Sequence, residues 1–263
     1  MEFFATANGI PIHISDTKEG EKSVVLLHGY LETLYIFSEF SELLSSAGYR
    51  VISIDLPGFG LSGSHPQINS MEFCADVVFD IVQNICKVSS VIVIGHSMGG
   101  YVAQEFAIKY SSLVSKLILL DSSPFEDTEE KKIEREREIS AILSSKLMVL
   151  ASLSIPKMYS SNNIRKFDEK IEETIEICET HDPIGVVASI RGMMQRNNFL
   201  EGISKIQFPI IMIFGSDDIF LKSLKEEDII AHAPNVKIVI IDGCGHNCFI
   251  EAPDKVLEAI SLP

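Results

Sequence analysis

Six short apolar runs limit what this chain can become: Val24–Leu27, Val51–Ile54, Val91–Ile94, Leu117–Leu120, Ile210–Phe214 and Ile238–Ile241. They are rich in β-branched residues and too short to be helices. Their apolarity is continuous rather than alternating, which predicts strands covered on both faces, as in a parallel sheet sheathed by helices. The segments between them carry helical spacing: Phe37, Phe40, Leu43 and Leu44; Phe73, Val77, Ile81 and Ile85; Val102, Phe106 and Ala107; Val256, Leu257 and Ile260. This alternation predicts an α/β protein with a mostly parallel central sheet and helices on both faces. The start differs. Residues 3–6 and 10–14 flank Ala7-Asn8-Gly9, and Asn-Gly accepts the positive φ of a tight turn, so an antiparallel hairpin is expected to lead the sheet.

Successive runs begin at residues 24, 51, 91, 117, 210 and 238. One crossover helix fills each of the shorter intervals, but not the interval from 117 to 210. An extra subdomain is therefore expected over 123–206, leaving 1–122 and 207–263 as the core. It opens with a charged stretch, Glu126 to Glu138, and turns apolar at Ile142, Leu143 and Leu147–Leu150. Ile171, Ile175, Cys178, Val186, Val187, Ile190, Met193 and Met194 follow at helical spacing, so the insert reads as a helical cap entered after the strand ending near Leu120.

Composition removes several classes of function. The 263 residues carry 37 acidic and 22 basic side chains, a formal charge of -15. That balance argues against nucleic acid or an anionic membrane as a partner. A chain of this length buries a large core without disulfide or metal staples. The five cysteines, Cys74, Cys86, Cys178, Cys244 and Cys248, are odd in number and show no disulfide spacing, which suits a reducing compartment. Cys244 and Cys248 bracket His246, but no second Cys/His pair completes a tetrahedral set, so no metal is expected. No run approaches a membrane span, and the first residues lack the basic start and apolar stretch of a signal peptide. A cytoplasmic protein is expected.

Gly95-His96-Ser97-Met98-Gly99 follows one apolar run directly and precedes a helical segment, Gly99 to Tyr110. A nucleophile elbow needs that setting: the serine takes a strained backbone so that its hydroxyl projects above the sheet, and glycines on either side avoid a clash. The alternative is a structural glycine-rich turn. A serine hydroxyl needs a base, and His246 lies in Asp242-Gly243-Cys244-Gly245-His246 just after the last run. His13, His65, His181 and His232 read as packing or surface residues. The base needs an acid, and Asp218 in Phe214-Gly215-Ser216-Asp217-Asp218 is preferred, with Asp217 and Asp121 as rivals. Ser97, Asp218 and His246 stand in nucleophile-acid-histidine order. The oxyanion donors are expected to be the backbone N–H groups of Tyr30, in the loop after the first run, and Met98, after the serine.

These residues resemble the α/β-hydrolase superfamily, specifically its capped esterase and lactonase-like serine hydrolases. The resemblance rests on His28-Gly29-Tyr30, Asp55-Leu56-Pro57-Gly58-Phe59-Gly60-Leu61-Ser62, Gly95-His96-Ser97-Met98-Gly99-Gly100, Gly215-Ser216-Asp217-Asp218, and Gly245-His246 with Glu251-Ala252-Pro253 and Val256. It spans most of the chain and thins in the cap, where Ala188-Ser189-Ile190-Arg191-Gly192-Met193 is similar to esterase caps. The resemblance implies the α/β-hydrolase fold, the acid at Asp218, and cleavage of a carboxylic ester, thioester or lactone through an acyl-enzyme without a cofactor. Aspartate-nucleophile relatives are disfavoured by Ser97. Carbon–carbon bond hydrolases of this layout often have asparagine where His96 stands. Cofactor-free perhydrolases of the fold usually carry a tryptophan that this chain lacks. Arg191 is a candidate for holding a substrate carboxylate, with a salt bridge as its plainer role. Met148, Met158, Met193 and Met194 suit an adaptable apolar pocket or plain core filling, and a small to medium apolar substrate is expected. The other readings are a carbon–carbon bond hydrolase or lyase, and a ligand receptor of the same fold with little turnover.

Overall fold

The computed structural model describes residues 1–262. Eight strands form one sheet: β1 (Glu2–Ala7), β2 (Ile10–Asp16), β3 (Lys22–Leu27), β4 (Tyr49–Ile54), β5 (Val91–His96), β6 (Val114–Leu120), β7 (Ile210–Gly215) and β8 (Val236–Ile241), in the spatial order β1-β2-β4-β3-β5-β6-β7-β8. From β4 to β8 every pairing is parallel. The expected hairpin is present: β1 and β2 pair antiparallel across Asn8 and Gly9, at φ 47° and 86°. β2 in turn runs antiparallel to β4.

Helices cover both faces: α1 (Ser38–Ser46), α2 (Met71–Phe79) and α3 (Met98–Lys109), then α4 (Glu129–Leu143), α5 (Leu147–Ser154), α6 (Asp168–Ile177), α7 (Pro183–Met194) and α8 (Leu200–Ser204) between β6 and β7, and finally α9 (Glu226–His232), α10 (Cys248–Glu251) and α11 (Pro253–Ile260). β3, β5, β6 and β7 are buried almost throughout, as continuous apolarity requires. β8 is the exception. It forms the sheet edge, and Ile240 is 44% exposed, so its apolar run does not mean two covered faces. One face of the sheet carries Phe37, just before α1, with Phe40, Leu44, Phe249, Val256 and Ile260 from α1, α10 and α11; the other packs on α2 and α3.

The topology sets up a site. β5 is flanked by β3 and β6, so the carboxyl ends of central parallel strands, and the loops leaving them, meet on one rim. The long interval predicted between β6 and β7 holds five helices, α4 to α8.

Candidate active site

Ser97 lies between β5 and α3 at φ 48° and ψ -114°, a left-handed backbone that a non-glycine residue rarely adopts. Two glycines permit the turn. A Cβ on Gly95 would strike the Gly99 carbonyl, and one on Gly99 would strike the Leu27 carbonyl. The turn is pinned by Ser97 N–H donating to Leu120 O (2.9 Å) and by Ser122 Oγ donating to Ser97 O (2.8 Å). Ser97 itself remains half-buried, its hydroxyl turned to a cavity.

The loops after β7 and β8 bring the other two groups to it. Ser97 Oγ is 2.8 Å from His246 Nε2, and His246 Nδ1 is 2.7 Å from Asp218 Oδ2. The second Asp218 oxygen accepts from the Phe220 N–H (2.8 Å), which fixes the carboxylate. Nδ1 donates to the carboxylate and Nε2 accepts from the serine, the tautomer a general base requires. Burial alone would lower the imidazole pKa, but the facing Asp218 raises it to about 8. Asp217 is directed elsewhere: it accepts from Ser160 Oγ (2.6 Å) in the insert.

Asp121 is the third carboxylate of this cluster. Its Oδ1 accepts from Gly215 N–H (2.8 Å), tying the end of β6 to β7, and it makes no hydrogen bond to His246. Complete burial pushes its pKa up to about 7, and Asp218 beside it adds to the rise. Donor atoms of Asp121, Asp218 and His246 lie within 4.8 Å of one another, close enough to share an ion. Binding one there through His246 would break its bond to Asp218 or to Ser97.

The expected oxyanion donors flank the serine. Met98 opens α3, so its N–H has no intrahelical acceptor and lies at the positive end of the helix dipole. Tyr30 follows Gly29 in the loop leaving β3, where Leu31 adopts φ 64°. The side chain of Tyr30 lines the same cavity as Ser97 and His246.

One residue with no sequence signal of its own organises this rim. Glu32 is fully buried, and its Oε2 accepts from Gly29 N–H (2.6 Å) and faces His96 Nδ1 at 2.9 Å. The opposite ring nitrogen of His96 donates to the backbone carbonyl of His246 (2.9 Å). The pair therefore links the loop after β3, the residue before Ser97 and the loop that carries His246. Burial would raise the Glu32 carboxyl, yet His96 and the Gly29 N–H hold it below its ordinary value.

The cavity over Ser97 measures about 120 Å³ and is lined by core residues Tyr30, Tyr101, Phe220 and Leu221, and by Met158, Met193 and a polar wall from α4. It shares the wall formed by Tyr101, Lys131, Arg135, Phe220 and Leu221 with a cleft of about 740 Å³. The polar wall modifies the expected apolar pocket: of the four insert methionines only Met158 and Met193 line it, alongside Lys131, Arg135 and Glu138. Asp127 anchors this wall. It pairs with Arg135 and with Arg196 (2.7 Å to Nη1), and the Arg196 guanidinium lies 3.9 Å from the Tyr101 ring centroid. Arg191 does not reach the cavity; it contacts Gln67 O at the surface. All five cysteines are free thiols, Cys244 and Cys248 included. No described helix is long and apolar enough to cross a membrane.

Comparison with known proteins places this geometry. A thermophilic esterase from Thermogutta terrifontis superposes with a TM-score of 0.90 at 28% identity, covering 99% of this chain and 96% of that one. An uncharacterized hydrolase of Bacillus subtilis, YugF, is 25% identical over 97% of this chain and 95% of its own length. A 2-hydroxy-6-oxononadienedioate/2-hydroxy-6-oxononatrienedioate hydrolase from Burkholderia vietnamiensis is 25% identical over 89% of this chain and 84% of its own. The family model described as serine aminopeptidase, S33, matches residues 18–253. With that match and an eight-stranded, mostly parallel sheet, the chain belongs to the serine aminopeptidase, S33 family of α/β-hydrolase-fold serine hydrolases.

Proposed function

We propose that this protein hydrolyses a carboxylic ester through an acyl-enzyme on Ser97. The observation that carries the reading is the hydrogen-bonded chain Ser97–His246–Asp218 on a strained turn at the rim of the sheet. His246 takes the Ser97 proton as the hydroxyl attacks the carbonyl. Asp218 holds the imidazole tautomer and balances the imidazolium. The N–H groups of Tyr30 and Met98 receive the oxyanion, each donor worth about 3 kcal/mol of barrier. His246 then protonates the leaving alkoxide, and water repeats the sequence to free Ser97. The insert acts as a cap over the cavity, and the substrate is small or medium in size, with an apolar portion against Met158 and Met193.

The test is hydrolysis of p-nitrophenyl butanoate by the wild type and by Ser97→Ala. Turnover should fall by at least about 10⁴-fold in the variant, with folding retained. A variant as active as the wild type sinks the proposal. Labelling of Ser97 by a fluorophosphonate without ester turnover would instead favour the receptor reading.

The relatives named as oxononadienedioate hydrolases favour a second reading, carbon–carbon bond hydrolysis. Two features weigh against it. Both nitrogens of His96 are engaged by Glu32 and His246, leaving no free donor before the serine, and Arg191 lies away from the cavity. Product analysis on a vinylogous diketone separates the two.

A further inference from the structure

Two residues that line the cavity over Ser97 each carry a buried side-chain oxygen with no hydrogen-bond partner among the described residues: Tyr30 Oη and Glu138 Oε2. Buried polar groups almost always find partners, so two orphans in one small chamber call for an explanation. They come from different parts of the fold. Tyr30 belongs to the loop after β3, and Glu138 projects from the middle of α4. They are near enough for the Glu138 charge to act on the phenol. Burial first, and Glu138 second, hold the Tyr30 pKa well above its ordinary value, so Tyr30 stays an O–H donor at any working pH. Glu138, whose carboxyl pKa is raised by burial against the pull of Arg135, supplies the second oxygen.

The neighbouring charges narrow what fits between them. Arg135 is committed to Asp127, and Lys131 to Glu134. A substrate carboxylate would meet Glu138 and be repelled; an ammonium would pair with Glu138 but has no lone pair to accept from the Tyr30 O–H. A methyl group would leave both orphans unpaired, which a site built for a polar group penalises strongly. A neutral group that accepts from the phenol and donates to the carboxylate satisfies both.

We propose that Tyr30 Oη and Glu138 Oε2 form a subsite for a hydroxyl group on the substrate, making this protein selective for hydroxylated esters over their methyl isosteres. The proposal rests on the ester-hydrolase reading above. It gives Tyr30 two duties, with its N–H toward the oxyanion and its side chain toward the substrate hydroxyl. The distance between reacting carbonyl and hydroxyl is thereby set by one residue. It also makes the substrate a bridge between the core and α4.

Two matched pairs test it: methyl β-hydroxybutanoate against methyl isovalerate, with the hydroxyl on the acyl side, and ethylene glycol monobutanoate against propyl butanoate, with it on the alcohol side. The wild type is expected to favour the hydroxylated member of at least one pair by about tenfold in kcat/KM. In Glu138→Leu, and in the double variant Tyr30→Phe/Glu138→Leu, that ratio should fall to near one. Fluorophosphonate labelling of Ser97 in each variant reports that the site is folded. A wild-type ratio of one or less in both pairs overturns the proposal, as does a ratio that survives the double substitution. Preference for a carboxylated ester such as monomethyl succinate overturns it in favour of an anion site. Failure of the wild type to hydrolyse any of these esters is a different result, because it overturns the ester-hydrolase reading itself and the subsite with it.

Discussion

The two sides of the cavity over Ser97 are built by different physics. The sheet side is held by backbone: a left-handed serine, glycines packed against carbonyls, and hydrogen bonds from Ser97, Gly215 and Gly29 to fixed acceptors. The insert side is held by side chains, with Asp127 clamping Arg135 and Arg196, and Met158 and Met193 lining the cavity. Backbone contacts leave few alternative arrangements, whereas side-chain contacts on a helix are exchangeable one at a time. The comparison therefore assigns chemistry to the sheet rim and selectivity to the insert. Perturbing the first should cost kcat; perturbing the second should cost KM.

The largest expected effect that bears on this contrast is at Asp218. Asp218→Asn should lower kcat by about 10⁴-fold, because an amide no longer enforces the Nδ1–H tautomer. A rival provides the control: Asp217→Asn, which disturbs the contacts with Ser160 and Ser216, should stay within about tenfold of the wild type. pH profiles sharpen the point. General-base action needs neutral His246, so kcat/KM should rise with pH through the imidazole value of about 8. The sign for stability is opposite. Because the folded value lies above the ordinary 6.5, the Asp218–His246 pair stabilises the protein fully below that value, and the contribution is lost as pH rises through about 8.

Next in size is Glu32. Glu32→Leu leaves His96 buried without its acid and frees the Gly29 N–H, and should destabilise folding by about 3 kcal/mol, read from denaturant unfolding. The milder Glu32→Gln should cut kcat by roughly 10²-fold with KM little moved, the pattern of misplaced catalytic groups. An equal rise in KM with unchanged kcat would remove Glu32 from the sheet-rim account. Since Glu32, Asp16 and Asp127 are all held below their ordinary values, their contribution to stability is present near neutral pH and is lost as pH falls through the acid range.

Much of the sheet side was legible in the sequence, because its requirements are local. The turn Gly95–Gly99 and the order Ser97, Asp218, His246 follow from steric rules and chain order that need no tertiary information. Asp121 and Asp217 stayed open as alternatives because both lie at strand ends; only the direction of each side chain separates them. Glu32 left no mark, since its partners Gly29 and His96 are brought together by strands that lie side by side only in the sheet. β8 misled because an edge strand and a central strand share the same apolar run. In the insert, helical spacing located the helices, yet Glu126–Glu138 read only as a charged stretch. That Asp127, Arg135 and Glu138 turn inward depends on how α4 docks, which periodicity does not encode.

The effects of the insert on kcat should be smaller. Asp127→Ala leaves the buried Arg135 and Arg196 without their shared carboxylate and should destabilise folding by about 3 kcal/mol; in the folded enzyme it is expected to raise KM several-fold and to change kcat by less than about tenfold. Arg191→Gln, at the surface, should alter stability by no more than about 0.5 kcal/mol and leave turnover as it was. A collapse of kcat in the Asp127 variant would break the division between the two sides.

Everything in this account passes through a covalent bond to Ser97. Rapid quenching of the wild type with p-nitrophenyl butanoate, followed by peptide mass mapping, measures that bond directly. A butanoyl group is expected on the peptide that carries Ser97, formed in step with a burst of p-nitrophenol and absent from Ser97→Ala. Steady turnover with the acyl group on another residue, or with Ser97→Ala as active as the wild type, would contradict it.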